Sequence, residues 1–308
     1  MSPASPQKRV QFDFEIEFLN GGGIQGQGFR LDIEGEDIDD SALAQYIVQD
    51  LRLLMVGRVA ILNKTIIAEP HKRSRATAAV EDKAAATLID LSHTIEDGMI
   101  TYKGLPAPII CDHLSREQSR SLYAPGTEFQ IGKITMCSNT STYIDSPFHR
   151  YADGTDIAGL TLNTLVGLDA VVVHADGMSG RKIPAEAFGA IDVRGKAVLV
   201  HTNWSRHWRT DQYFEGHPFL TAEAAEYLKK GGAKLVGIDS YNIDDTTGGH
   251  RPVHTTLLGA GIPIVEHMRG LELVPATGAT FTAVPPKVKG MGTFPVRAFA
   301  TLPGQRVT

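Results

Sequence analysis

Residues 10–18 (Val-Gln-Phe-Asp-Phe-Glu-Ile-Glu-Phe) alternate apolar and polar side chains, the period of a strand with one buried face. Gly21, Gly22 and Gly23 mark a turn, and the alternation resumes over residues 28–33, so a β-hairpin is predicted. The glycine run leads into a strand rather than a helix, which sets aside a dinucleotide-binding loop. Asp40 and Ser41 offer a helix N-cap ahead of Leu43, Tyr46, Ile47, Leu51 and Leu54 at helical spacing. Residues 58–68 return to strand character. Residues 1–69 therefore read as a β-β-α-β module, suited to packing or subunit contact and without evident chemistry. Residues 70–86, charged and rich in alanine, read as a linker.

Beyond the linker the pattern changes. Residues 170–174, 197–201 and 235–238 are short apolar runs of the kind that strands buried on both faces require. Residues 221–231 read as a helix, with Thr221 as cap, Glu223 near its start and Gly231-Gly232 at its end. Short apolar runs alternating with helical patterns predict an α/β domain with a mixed sheet over residues 87–308.

Composition narrows the function classes. A chain of 308 residues can bury one large core or two unequal ones. A net charge of −5 and a pI near 6.1 argue against a nucleic-acid surface. The basic cluster His71-Lys72-Arg73-Ser74-Arg75 falls in the linker and reads as a solvated connector. The sequence holds no apolar run near the roughly 20 residues that cross a bilayer, and with no apolar segment behind residues 1–6 no signal peptide is expected. Two cysteines, Cys111 and Cys137, suit a reducing compartment, and the cytoplasm is expected.

Candidate chemistry concentrates in two places. If residues 139–145 are extended, Asn139, Ser141, Tyr143 and Asp145 share one face. Four hydrogen-bonding groups are costly to bury against an apolar core, so they are expected to face a cleft. An exposed edge strand accounts for the same pattern. Further on, a short helix from residue 254 to 258, a turn at Gly259 and Gly261, and a strand over 262–265 make two legs of similar length. His254 and Glu266 are thereby expected to meet at one sheet edge, as a metal-binding pair.

Taken together, these segments resemble the cyclase family that includes bacterial kynurenine formamidase and isatin hydrolase. The family's strand motif, His-x-Gly-Thr-His-x-Asp-x-Pro-x-His, falls on residues 139–149, and its later histidine and glutamate fall on His254 and Glu266. Asp90-Leu91-Ser92-His93 resembles its opening Asp-Leu-Ser segment, and residues 239–244 resemble its Asp-Ser-x-Ser-x-Asp segment. The resemblance implies a swivelling β/β/α fold and hydrolysis of an amide, cyclic amide or lactone in a small cyclic or aromatic molecule, with metal-activated water. Asn139 and Tyr143 stand where the family has its first two metal-binding histidines. The resemblance leaves Asp145, His254 and Glu266 to hold one divalent ion, zinc or manganese. It assigns proton transfer to His149 and leaves Tyr143 and Asn139 to position the carbonyl.

Softer candidates for substrate binding are Thr142 within the motif, Trp204 and His207 in an aromatic segment after a strand, and His250 beside Gly248-Gly249. The histidines at 71, 113, 174, 201 and 267 are read as structural. A homo-oligomer, dimer or tetramer, is expected. Two other readings stay open: a metal-independent cyclase, isomerase or lyase run on Tyr143, Asp145 and His149, and a ligand-binding or assembly protein without catalysis.

Overall fold

A computed structural model describes residues 8–33, 35–68, 86–189 and 191–304. The expected linker at 70–86 lies, apart from Ala86, outside the described residues, as does its basic cluster. The chain divides into two compact units, Met1–Lys83 and Ala84–Thr308.

In the first unit, β1 (Lys8–Phe18), β2 (Gly23–Ile33), α1 (Asp40–Asp50) and β3 (Val56–Ala68) follow in order. The strands form an antiparallel sheet in the order β2-β1-β3. The alternation of β1 buries Val10, Phe12, Phe14 and Ile16 together with Leu31, Leu43 and Ile47. Register slips beside Asp13, whose carboxylate accepts hydrogen bonds from Gly28 N and Asn63 Nδ2, each at 2.7 Å. It thus pins β1 to both neighbours at the bulge. The cap of α1 is Asp39, one residue earlier than expected; its carboxylate accepts from Ala42 N at 2.9 Å. Leu54 lies past the helix end and is exposed, because α1 stops at Asp50.

The second unit runs β4 (Thr87–Asp90), β5 (Ile109–Leu114), α2 (Arg116–Ser119), β6 (Ile131–Thr135), β7 (Tyr143–Asp145) and β8 (Leu168–His174). It continues through β9 (Lys182–Ile183), β10 (Ala197–His201), β11 (Phe219–Leu220), α3 (Ala222–Gly231), β12 (Leu235–Ile238), α4 (Pro252–Gly259) and β13 (Ile264–Glu266). The last strands are β14 (Ala279–Thr282), β15 (Thr293–Pro295) and β16 (Phe299–Leu302). Nine strands form one mixed sheet in the order β15-β7-β13-β12-β10-β8-β14-β16-β4. Its centre, β13-β12-β10-β8, is parallel, and both flanks are antiparallel. The curled mixed sheet with few helices is the α/β fold expected for this part of the chain.

The central strands are apolar throughout because both faces are covered. Val171, Val173, Val198 and Val200 pack with Leu228 of α3 and Leu257 of α4, while Val172 and Leu199 pack on the other face with Leu91 and Phe281. Thr221 caps α3 by accepting from Ala224 N at 3.2 Å, and Gly232 closes it at φ 78. Gly237 in β12 must lack a side chain, since a Cβ there would stand 2.6 Å from Met268 Sδ and 2.9 Å from Leu199 Cδ2. Among the described residues no helix is long and apolar enough to cross a membrane.

The strand expected over 139–145 is cut to the three residues of β7. Ser141 adopts φ 62, which breaks the alternation. Its hydroxyl donates to His93 O at 2.8 Å and so turns away from the face that Tyr143 and Asp145 share with Asn139.

Candidate active site

β7 and β13 pair antiparallel with Tyr143 opposite Glu266 and Asp145 opposite Ile264. Three buried ligand groups converge beside this pair. The nearest oxygens of Asp145 and Glu266 each lie 3.6 Å from His254 Nε2. All three candidate ligand atoms fall within 4.8 Å of one another. His254 sits in the first turn of α4, so helix and strand bring it to Glu266 as the equal legs required.

Each group is held from behind. Asp244 accepts from Val253 N at 2.8 Å and His254 N at 3.0 Å, so it caps α4. The same carboxylate lies 2.7 Å from His254 Nδ1, which makes Nδ1 the donor and turns Nε2 toward the other two acids. Glu266 accepts from Ile243 N and from the Tyr143 hydroxyl, each at 2.6 Å. Asp145 differs: both of its carboxylate oxygens are buried and neither has a hydrogen-bond partner among the described residues.

The electrostatics favour a cation. Burial pulls the His254 imidazole down, but Glu266, Asp145 and Asp244 outweigh it and push it up to about 10. Burial raises the Glu266 carboxyl against the pull of His254. Burial, then the charges of Glu266 and Asp145, raise the Tyr143 phenol well above its ordinary value, so it stays a neutral donor. Two orphaned oxygens, a second carboxylate and an oriented imidazole are a suitable donor set for one divalent ion. Tyr143 and Asn139 do not extend that set: the phenol is protonated and committed to Glu266, and Asn139 Oδ1 accepts from Thr293 Oγ1 at 3.0 Å.

The cluster opens into a cavity of about 300 Å³. Asn139, Tyr143, His149, His254 and Glu266 line it, as do Tyr102, Leu105, Arg150, Asn242 and Arg251. His149 lies on a short turn (Pro147–His149) with its Nε2 3.9 Å from Asp145 Oδ1 and its side chain partly exposed. That turn is set by Gly292, whose carbonyl accepts from Ser146 N at 2.8 Å and Ser146 Oγ at 2.9 Å. A Cβ on Gly292 would stand 2.6 Å from His149 Cα. Tyr102 stacks on Tyr241 at 4.9 Å and gives the cavity an aromatic wall.

Four predicted site residues lie elsewhere. Thr142 is buried with its hydroxyl donating to His267 O at 2.6 Å and accepting from His93 N at 3.0 Å, so it ties two segments together. Trp204 donates from Nε1 to Tyr213 O at 3.0 Å and packs on His207; neither is among the described residues lining the cavity. His250 lines a different cavity, with Phe219 and Asp245. Arg251 beside it folds back to donate to the Asp245, Gly248 and His250 carbonyls. Sequence reading missed Asp244, Tyr102, Arg150, Asn242 and Arg251. Asp244 and Asn242 stand in the family-like 239–244 segment, and Arg150 follows His149 directly; Tyr102 and Arg251 carry no local signal.

The fold and this acid-rich cluster define an α/β protein with a candidate site for a metal ion. The chain belongs to the cyclase family, whose model matches residues 89–245. It is 32% identical over 213 residues to a kynurenine formamidase of Geobacillus thermodenitrificans (strain NG80-2), spanning 68% of this chain and 95% of that protein. A solved structure described as a potential metal-dependent hydrolase with cyclase activity superposes with a TM-score of 0.59 at 27% identity, over 72% of this chain and all of the other. Isatin hydrolase A from Labrenzia aggregata shares the fold, with a TM-score of 0.62 at 20% identity over 76% of this chain and all of the other.

Proposed function

We propose that the chain hydrolyses an amide or cyclic amide of a small aromatic molecule, with Asp145, His254 and Glu266 holding one zinc or manganese ion. The observation that carries this reading is Asp145, a buried carboxylate with neither oxygen hydrogen-bonded, aimed at the Nε2 of an imidazole that Asp244 orients. A divalent ion held there would lower the pKa of a water and polarise a carbonyl. Tyr143 and Ile243 N fix the Glu266 carboxylate. His149, at the edge of the cluster, takes and returns the proton. Tyr102 and Tyr241 offer a flat wall to an aromatic ring. Arg150 and Arg251 give the cavity a cationic rim that suits a carboxylate product.

The names of the relatives, kynurenine formamidase and isatin hydrolase, support the amide class. Free Cys111 and Cys137 support a reducing compartment, and we place the protein in the cytoplasm. The β5–β6 ribbon exposes Ile109, Ile110, Ile131 and Ile134, which supports a homo-oligomer. The test is turnover of isatin and of N-formyl arylamines by chain loaded with zinc or manganese and by chelated chain. Metal-dependent release of the ring-opened acid or the free amine is expected. Failure on both substrate types with metal bound would overturn the amide reading, and undiminished turnover after chelation would favour the metal-independent alternative.

A further inference from the structure

The carboxyl ends of the parallel strands carry a second cluster. His174 ends β8 and His201 ends β10, paired in register, and the turn after β8 brings Asp176 back beside them. The two Nδ1 atoms are 3.2 Å apart. Asp176 Oδ1 lies 3.9 Å from His174 Nδ1 and 3.8 Å from His201 Nδ1. Donors about 2.0–2.2 Å from a tetrahedral zinc sit about 3.3 Å from one another, so small side-chain rotations complete the geometry.

His201 gives an independent reason to expect a ligand. It is 4% exposed, and its Nε2 has no hydrogen-bond partner among the described residues although Asp239 Oδ2 and Glu272 Oε2 each lie 4.0 Å away. A buried imidazole that shows one nitrogen to a cluster and the other to carboxylates has the layout of a metal-bound histidine with its supporting acid. Asp239 is fixed in that place by Thr202 N at 2.7 Å and Asn203 N at 2.8 Å. The hydrogen bond between the two rings explains their own contact but not a carboxylate facing both. His174 and Asp176 are about half exposed, which leaves solvent access and an open coordination position. Glu266 ends β13, two strands from β10 and three from β8, or about 10 and 14 Å at ordinary strand spacing, so one ion cannot serve both clusters.

We propose that His174, Asp176 and His201 form a second metal site, distinct from the catalytic cluster and selective for a divalent transition metal such as zinc. Two imidazoles and one carboxylate favour zinc over magnesium or calcium, which prefer all-oxygen shells. Two of the histidines read as structural from the sequence, His174 and His201, are thereby ligands.

The test uses full-length chain stripped by a chelator and titrated with zinc chloride against a chromophoric competitor, with zinc per chain counted by elemental analysis. Glu266→Gln removes a ligand of the catalytic cluster and separates the two sites. Adding His174→Ala or Asp176→Asn to it changes a solvent-facing group, and circular dichroism checks the fold. One zinc fewer per chain, or binding weakened at least about 100-fold, is expected from either addition. His174→Ala alone should retain the hydrolase turnover of the parent. Zinc stoichiometry and affinity unchanged by both additions would overturn the second site, whatever the fate of the catalytic one.

Discussion

Tyr143 and Glu266 face each other across the antiparallel pair β7–β13, and the phenol donates a 2.6 Å hydrogen bond to Glu266 Oε2. The residue in the place of a family histidine thus holds a candidate metal ligand. Tyr143→Phe removes one charge-assisted hydrogen bond and leaves the three-ligand set intact. We expect metal to remain bound, with affinity reduced about 10–100-fold, as for other residues that support a ligand. Glu266→Gln should weaken it further. Equal losses in the two variants, measured by competition with a chromophoric chelator, would make Tyr143 a ligand.

The same argument limits metal content at the catalytic cluster. With His174→Ala silencing the second cluster, one zinc per chain is expected and not two. Adding Asn139→His and Tyr143→His should raise the count to two, because both positions line the cavity with His254 and Glu266. Two zinc ions in the His174→Ala chain before that change would contradict the role assigned to Asn139 and Tyr143.

His149 is expected to act through its proton. His149→Ala should lower kcat by roughly 10² with an unchanged melting curve. His149→Gln should not restore it, since an amide does not exchange protons near neutral pH. Activity close to the parent in both variants would return His149 to packing.

Gly292 controls where His149 stands. Gly292→Ala puts a methyl group into the backbone of the Pro147–His149 turn. A stability loss of about 1–3 kcal/mol is expected from the forced shift, with kcat falling about 10–100-fold through misplacement of His149. A variant that loses stability but keeps kcat would show that the turn tolerates displacement.

Acid should destabilise the second unit through His93. Its ring stacks on Trp208 at 3.9 Å, its Nε2 is buried without a hydrogen-bond partner among the described residues, and burial with Arg269 nearby lowers its pKa to about 4. The folded pKa lies below that of the unfolded chain, so the neutral ring contributes stability above pH 6.5 that is lost as pH falls toward 4. The loss is about 3 kcal/mol from the size of the shift. His93→Phe keeps a stacked ring without the titration, and should flatten the decline of denaturant midpoint between pH 6.5 and 4. An unchanged slope would assign the acid sensitivity to other groups.

What the sequence determined by itself is what neighbouring residues decide. The period of two in β1, the unbroken apolar runs of β8, β10 and β12, and the caps of α3 follow from local sterics and hydrogen bonding. Even the meeting of His254 and Glu266 was legible, because a helical leg and a strand leg of equal length return to one edge. The tertiary structure alone decided the rest, because the partners come from far along the chain. Ser141 leaves the strand to reach the His93 carbonyl, and Thr142 turns inward to the His267 carbonyl 125 residues later. The Tyr143 hydroxyl was assigned to substrate by its place in the motif, and it is committed instead to Glu266. Tyr102 and Arg251 enter the cavity from loops without periodicity, and His174 and His201 are joined only by strand register. Side-chain direction at such points depends on which distant group offers a hydrogen bond or a space, and no local pattern encodes that choice.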